Sequence, residues 1–136
     1  MDHYLKASTQ TCIWGYFDAL CEPVLTINSG DVVTIDSVSG GPNVIPSNDF
    51  YTPPELKEIH GLGVPQVPGH ILTGPVAVKG AKKGQVLEVK ILEVNLRQDW
   101  GYNFIRPLSG ALPYDFSEEI HMNIPLDKEK MIANLP

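Results

Sequence analysis

One imidazole, that of His70, lies in a stretch of small and turn-forming residues, VPGHILTGPVAV. Gly69 precedes it and Gly74 follows it, and glycine lets a backbone turn sharply or approach another group closely. A histidine on such a bend can project a ring nitrogen into a cleft, as a metal ligand or as an acid–base group. The alternative, which the spacing alone favours, is a buried histidine whose ring is satisfied by a backbone carbonyl.

A second candidate is Asp18, the acid that ends the aromatic stretch WGYFD. It is either a carboxylate on a surface turn or a group held against an apolar wall, where it would need a raised pKa or a cationic partner. Asp18 and His70 together supply a carboxylate and an imidazole, two of the ligand types found at metal sites. Two residues do not complete such a site, so a third ligand must come from elsewhere. The candidates are Asp31, Asp99, His60, His121 or another chain.

Two of these aspartates have simpler explanations. Asp31 ends the sequence NSGD, where capping of a turn accounts for an acidic side chain. Asp99 lies in RQDWGYN, a composition typical of a recognition loop or a subunit contact. An ion pair of Asp99 with Arg97 or Arg106 is the alternative there. His3 and His60 are expected at the surface.

The elements that must position these residues are mostly strands. Residues 23–27 and 32–38 are apolar and β-branched, with a turn sequence between them. Residues 75–78, a glycine-containing turn and the alternating residues 85–94 repeat the same order. The sequence therefore predicts two β-hairpins that are built alike.

Helical signals are few. Residues 53–59 begin with two prolines and an acid, which suits the first turn of one short helix. Residues 39–49 and 97–115 are expected to be long connections, and residues 120–124 a further strand. The prediction is a single mostly-β domain over residues 1–136, of sandwich or barrel type, with one short helix and long loops.

Composition narrows the class of protein. The chain has 136 residues, 43% hydrophobic residues and a net charge of −6, as expected for one folded domain. The acidic balance and the lack of a Lys/Arg cluster argue against nucleic acid as a partner. No apolar run approaches the roughly 20 residues of a membrane span. With two cysteines and no apolar leader at the N-terminus, we expect a cytoplasmic protein with reduced thiols.

Several motifs, in this order, resemble the acetamidase/formamidase family. They are TCIWGYFDA, EPVLTINSGDVVTI, SVSGGP, GHILTGPVAVKGA, GQVLEV, RQDWGYN and RPLSGALP. The resemblance runs from about Thr11 to the end of the chain. It implies a mostly-β, cytoplasmic, usually homo-oligomeric amidase that hydrolyses short amides such as formamide or acetamide to a carboxylate and ammonia.

The resemblance also implies a divalent metal, zinc in type with calcium as the alternative, which would activate water. His70 and Asp18 are then the predicted catalytic residues. The predicted metal ligands are His70, Asp18 and Asp31. The predicted substrate contacts are Trp14, Thr73, Asp99 and Tyr102.

The chain departs from the family in ways that leave other functions open. Family members are about twice as long, and their motifs His-Gly-Gly-Asn-x-Asp, Gly-Asp-x-His and Gln-Gly-Asp-Gly-Glu do not occur here, so the chain resembles the N-terminal half. Ile13 stands where relatives commonly have histidine, and Gln85 where the family has aspartate. A complementary C-terminal half is therefore an expected partner. The main alternative is a catalytically inactive fragment that acts as a β-rich binding or assembly module, and a metal-binding β-barrel lyase or isomerase is a third.

Overall fold

Nine short strands and one α-helix are present in the computed structural model, which describes residues 1–47, 49–62 and 70–135. The prediction of a mostly-β protein with one short helix is confirmed for this part of the chain. The contacts between residues divide the chain into two compact units. The first unit is Met1–Ile45 with Pro53–Ile91, and the second unit is Pro46–Thr52 with Leu92–Pro136. Gly69, expected to shape the bend at His70, lies outside the described residues.

Two parallel strand pairs replace the predicted hairpins in the first unit. β3 (Leu25–Ile27) pairs with β6 (Val76–Val78), and β1 (Asp2–Leu5) pairs with β4 (Val32–Ile35), both in parallel. The predicted strands 23–27 and 75–78 therefore pair with each other rather than with the strands that come next in the chain. The hairpin prediction is wrong because a turn sequence is a local signal, whereas the choice of partner strand depends on contacts far along the chain.

The helix and a third strand pair surround the core of the first unit. α1 (Pro54–His60) has proline at its first positions and Glu55 in its first turn, and the Gly61 N–H closes it by donating to carbonyls of its last turn. This confirms the predicted helix within one residue at each end. β2 (Cys12–Trp14) and β5 (Ile71–Thr73) pair antiparallel. Their residues pack against a buried cluster that consists of Ala7, Val38, Leu56 and Ile59.

The predicted strand at residues 85–94 does not form in the described part of the chain. No described strand pairs with residues 86–94, which we call the unpaired segment. Its apolar side chains are exposed: Val86 95%, Leu87 70%, Val89 73%, Ile91 78%, Leu92 63% and Val94 63%. The alternating pattern is that of a strand, but a strand needs a neighbour to take its backbone hydrogen bonds.

The second unit is a three-stranded antiparallel sheet. β7 (Trp100–Ile105) pairs with β8 (Ile120–Asp127), which pairs with β9 (Ile132–Ala133). β8 includes the strand predicted at 120–124. β7 lies within residues 97–115, which were expected to be a connection, and the described connection at 39–47 contains one 3₁₀ turn at Pro42–Val44. Among the described residues, no helix has the length and apolar composition that a membrane crossing would require.

Candidate functional site

The strand pair β2–β5 brings two of the sequence motifs to the same place. Trp14 is the register partner of Ile71, and one step further the Gly15 N–H donates to the His70 carbonyl at 3.2 Å. Gly15 has a φ of 95°, which L side chains rarely adopt, so the chain can leave β2 sharply at this point. As a result, the residues after Trp14 and the residue before Ile71 emerge from the same end of the pair.

The imidazole of His70 lies against the ring of Phe17. The ring centroids are 6.4 Å apart and the planes are tilted by 56°. Both side chains are exposed, and no described residue donates to or accepts from the ring nitrogens of His70. The alternative of a buried, carbonyl-satisfied histidine is therefore wrong for His70. An accessible imidazole can exchange a proton or take a ligand.

Asp18, the residue after Phe17, is an exposed turn carboxylate. Its Oδ1 accepts the Leu20 N–H at 2.8 Å, and its carbonyl accepts the Cys21 N–H at 3.3 Å. Of the two alternatives for this residue, the surface turn is the one observed. The turn holds the Asp18 backbone next to the residue that contacts His70.

Trp14 forms the inner part of the site with a histidine from the helix. The ring centroids of Trp14 and His60 are 5.2 Å apart, and His60 Nε2 lies 2.8 Å from the Gly40 carbonyl oxygen. Trp14 Nε1 is buried, and none of the described residues is its hydrogen-bond partner. The expectation that His60 is a surface residue is wrong, because the last turn of α1 places it against Trp14. Only its position at a helix end close to a core face hinted at this contact.

Thr73 and Asp31 both have structural partners. Thr73 Oγ1 donates to the Asp36 carbonyl at 2.7 Å and lies 3.5 Å from Cys12 Sγ, so it ties β5 to the chain just beyond β4. Asp31 caps its turn, because its Oδ2 accepts the Asn28 N–H at 2.9 Å.

Asp31 also gathers two further groups from the N-terminus. Its Oδ1 lies 2.9 Å from the Met1 ammonium group and its Oδ2 lies 2.9 Å from His3 Nε2. The Asn28 backbone N–H, followed by His3 and the ammonium group, holds the pKa of Asp31 far below its usual value. The Asp31 carboxylate in turn raises the pKa of the Met1 ammonium group. His3, which was expected at the surface, is half-buried in this cluster.

The other two predicted substrate contacts belong to the second unit. Asp99 Oδ1 accepts the Tyr51 N–H at 3.0 Å, and the fully buried Trp100 donates from Nε1 to the Tyr51 carbonyl at 2.8 Å. Tyr102 packs between Trp100 and Phe104, with ring centroids 6.4 and 5.4 Å away and the ring planes tilted. The predicted recognition loop is thus partly a strand whose tryptophan is core.

Two further side chains, those of Arg106 and His121, lie next to the Phe104 ring. Arg106 lies over the Phe104 ring at 4.2 Å from its centroid and pairs with Glu119 at 3.7 Å. His121, on the adjacent strand, stacks on Phe104 with centroids 4.8 Å apart.

The predicted metal set is not assembled by the described residues. Among residues 1–47, 49–62 and 70–135, no three His, Cys, Asp or Glu side chains form a group that could hold a metal ion. His70, Asp18 and Asp31 are therefore not brought together as one ligand set in this part of the chain. A divalent metal stays a prediction.

Comparison with known proteins defines the class. The fold is mostly β, and in the described part of the chain the β2–β5 pair brings Phe17 of the WGYFDA motif beside His70. The pattern of the Acetamidase/Formamidase family matches residues 6–131, so the chain belongs to that family. Neither the curated proteins nor the solved structures contain a significant match. Family membership supports amide hydrolysis as the general class of activity.

Proposed function

We propose that this chain takes part in the hydrolysis of short linear amides, of the formamide or acetamide type, to a carboxylate and ammonia. The observation that carries the proposal is the accessible His70 imidazole, held beside Phe17 at the end of the β2–β5 pair in a chain of this family. Water adds its oxygen to the carbonyl carbon, the C–N bond breaks, and the nitrogen takes one proton from that water to leave as ammonia. The carboxylic acid that remains releases the other water proton and becomes the carboxylate.

In this proposal His70 accepts the proton from the attacking water and returns a proton to the leaving nitrogen. An imidazole suits both steps because its ring nitrogens can accept a proton as well as donate one. The exposed Phe17 ring offers apolar surface for the small acyl group, and Asp18 is positioned by its turn next to Phe17.

A divalent metal of zinc type, with calcium as the alternative, remains part of the proposal but does not fit the described residues alone. His70 and Asp18 are the side chains of this chain that would hold it, and with a metal bound there a carboxylate rather than His70 would take the proton from water. The other ligands would come from a complementary C-terminal half or from another copy in a homo-oligomer. A metal at such a site would supply polarisation of the amide carbonyl. A cytoplasmic location is likewise a proposal.

The test is ammonia release from formamide and acetamide, measured with and without added zinc and with and without a C-terminal half polypeptide from a family member. We expect release that His70→Ala abolishes and Asp18→Asn reduces. His3→Gln is the matched control, because it removes an imidazole that pairs with Asp31, and its release should equal that of the unmodified protein. Equal release from His70→Ala and the unmodified protein would contradict the role of His70.

A catalytically inactive binding or assembly module is the second candidate function. The observation that favours it is the unpaired segment, whose exposed apolar side chains are unusual for a protein surface. Absence of ammonia release under every condition above, together with stable association through that segment, would favour this function over amide hydrolysis.

A further inference from the structure

The unpaired segment presents two chemically different sets of side chains. Because successive side chains of a strand point to opposite faces, its odd-numbered and even-numbered residues would lie on different faces of a sheet. Leu87, Val89 and Ile91 lie on one face, each at least 70% exposed, and Glu93 follows them on the same face. The other face carries Glu88 and Lys90, which are two positions apart and opposite in charge, between the exposed apolar side chains of Val86, Leu92 and Val94.

No described residue covers this surface or takes its backbone hydrogen bonds. Among the described residues, the nearest backbone bond is that of the Gln85 N–H to the Lys82 carbonyl at 3.2 Å, which belongs to the preceding turn. Free backbone groups next to exposed apolar side chains make a template for another strand.

We propose that the segment pairs with the same segment of a second copy of this chain, antiparallel and centred on Val89. In that register Glu88 of each copy lies opposite Lys90 of the other, which makes two opposite-charge pairs on one face. On the other face Leu87 lies opposite Ile91, and Val89 lies opposite its own equivalent. The contact is self-complementary about a two-fold axis, as the contacts of symmetric dimers are.

Other registers of the same two strands are less favourable. In-register parallel pairing places Glu88 opposite Glu88 and Lys90 opposite Lys90, and directly opposed like charges destabilise a sheet. Cross-strand partners must point to the same face, so a symmetric antiparallel pair is centred on a residue rather than between two. A centre at Glu88 or Lys90 opposes like charges. A centre at Leu87 or Ile91 leaves both charges opposite uncharged residues.

This inference goes beyond amide hydrolysis and does not depend on it. It assigns a surface, an occupant and a register. A single strand pair is a small contact, so the dimer should dissociate on dilution.

The test is sedimentation equilibrium of the full chain, with charge-reversed variants. The unmodified protein should approach twice the mass of the 14.9 kDa chain as its concentration rises. Glu88→Lys or Lys90→Glu alone replaces two attractive pairs with two repulsive ones, and should weaken the dimer about tenfold. The double variant, carrying both changes, should restore it, because each reversed charge again meets its opposite. Restoration by changes within one chain is expected for the antiparallel register and not for the parallel one.

The matched control is Lys83→Glu, which makes the same charge change at an exposed position just outside the paired region. Its dimer should be as strong as that of the unmodified protein, and circular dichroism should show the same fold for all variants. A monomer at every concentration would overturn the proposal, as would a dimer that ignores both single reversals. Failure of the double variant to restore the dimer, or association with a different polypeptide only, would overturn it as well.

Discussion

Residues 28–31 and 82–85 form the same turn at corresponding places in two similar segments of the chain. In the first turn, the Asp31 N–H donates to the Asn28 carbonyl at 3.1 Å, and the Asp31 side chain accepts the Asn28 N–H at 2.9 Å. In the second, the Gln85 N–H donates to the Lys82 carbonyl at 3.2 Å, and the Gln85 side chain accepts the Lys82 N–H at 2.7 Å. Gly30 and Gly84 have φ angles of 88° and 94°.

The two turns lead into different structures. The chain after the first turn forms β4, which pairs along its length with β1, and the chain after the second turn is the unpaired segment. Both stretches have strand-forming residues, so their own sequences do not separate them. The difference shows that a turn is decided by its own few residues, whereas a strand is completed by a partner from elsewhere.

Hydrogen exchange should show the largest difference between the two segments. The Asp36 N–H, at the end of the β1–β4 pair, donates to the Leu5 carbonyl at 3.0 Å. At concentrations where the protein is monomeric, we expect this amide to exchange about a hundredfold or more slowly than the Val89 amide, because exchange there requires opening of the strand pair. Amide exchange followed by nuclear magnetic resonance measures both rates. Comparable rates would show that β1 and β4 are not stably paired.

Truncation of one leucine in the β1–β4 pair and of one in the unpaired segment should give the second-largest difference. Leu5 is 6% exposed and pairs with Ile35, so Leu5→Ala should lower the free energy of unfolding by about 2–4 kcal/mol. Leu87 is 70% exposed, and Leu87→Ala should change it by less than about 0.5 kcal/mol in the monomer. Urea unfolding followed by circular dichroism measures both. A large decrease in the free energy of unfolding on Leu87→Ala would mean that the unpaired segment is packed within the monomer.

Substitution of the two turn glycines should have a smaller effect. Neither Gly30 nor Gly84 has an atom within 4 Å of the position a Cβ would take, so only their positive φ opposes a side chain. Gly30→Ala should cost about 1 kcal/mol, because β4 on one side and β3 on the other hold the turn in place. Gly84→Ala should cost less than half of that, since the chain after it can relax. Thermal unfolding of the two variants tests the difference, and equal costs would contradict it.

The smallest difference between the two turns should appear in how the stability of the protein depends on pH. The lowered pKa of Asp31 means that its stabilising effect is complete above about pH 4 and is lost as the pH falls through the folded-state value. The raised pKa of the Met1 ammonium group means that its effect is complete below about pH 8 and is lost as the pH rises through its folded-state value. Asp31→Asn should therefore flatten the curve of Tm against pH at both ends.

Gln85→Ala is the control for this experiment, because it removes the corresponding turn contact without removing a charge. It should leave the shape of the pH curve unchanged. An unchanged curve for Asp31→Asn would show that the ammonium and His3 contacts of Asp31 do not contribute to stability.

Local signals explain which predictions succeeded. The two prolines and Glu55 identified the helix, and β-branched residues identified β3, β4, β6 and β8. The turn at Asn28–Asp31 was also recognised. The hairpins were not correct, because β3 and β6 lie about fifty residues apart and no local feature distinguishes that partner from the adjacent strand. β7 was missed because its glycine and polar residues resemble a loop.

In the candidate site, too, local features were predicted and contacts between distant segments were not. Residue type and local sequence made His70 and Asp18 candidates, and the resemblance to the family made them the predicted catalytic residues. The β2–β5 pair explains why the segments that contain them meet. The contact of His60 with Trp14 was not predicted, because it joins a helix end to a strand through the core. The capping of the Asp31 turn was anticipated as an alternative, since it involves neighbours in sequence. Its contacts with the N-terminus were not.

The sequence by itself determined the β-rich character of this chain, the place of its helix and its turns, and its family, because each depends on residue types at short spacing. Tertiary structure alone decided that β3 pairs with β6, that an accessible His70 ring lies on Phe17, and that residues 86–94 remain without a strand partner among the described residues. These features depend on which distant segments meet. Such meetings are decided by the summed burial and hydrogen bonding of whole elements, which no short stretch of sequence contains.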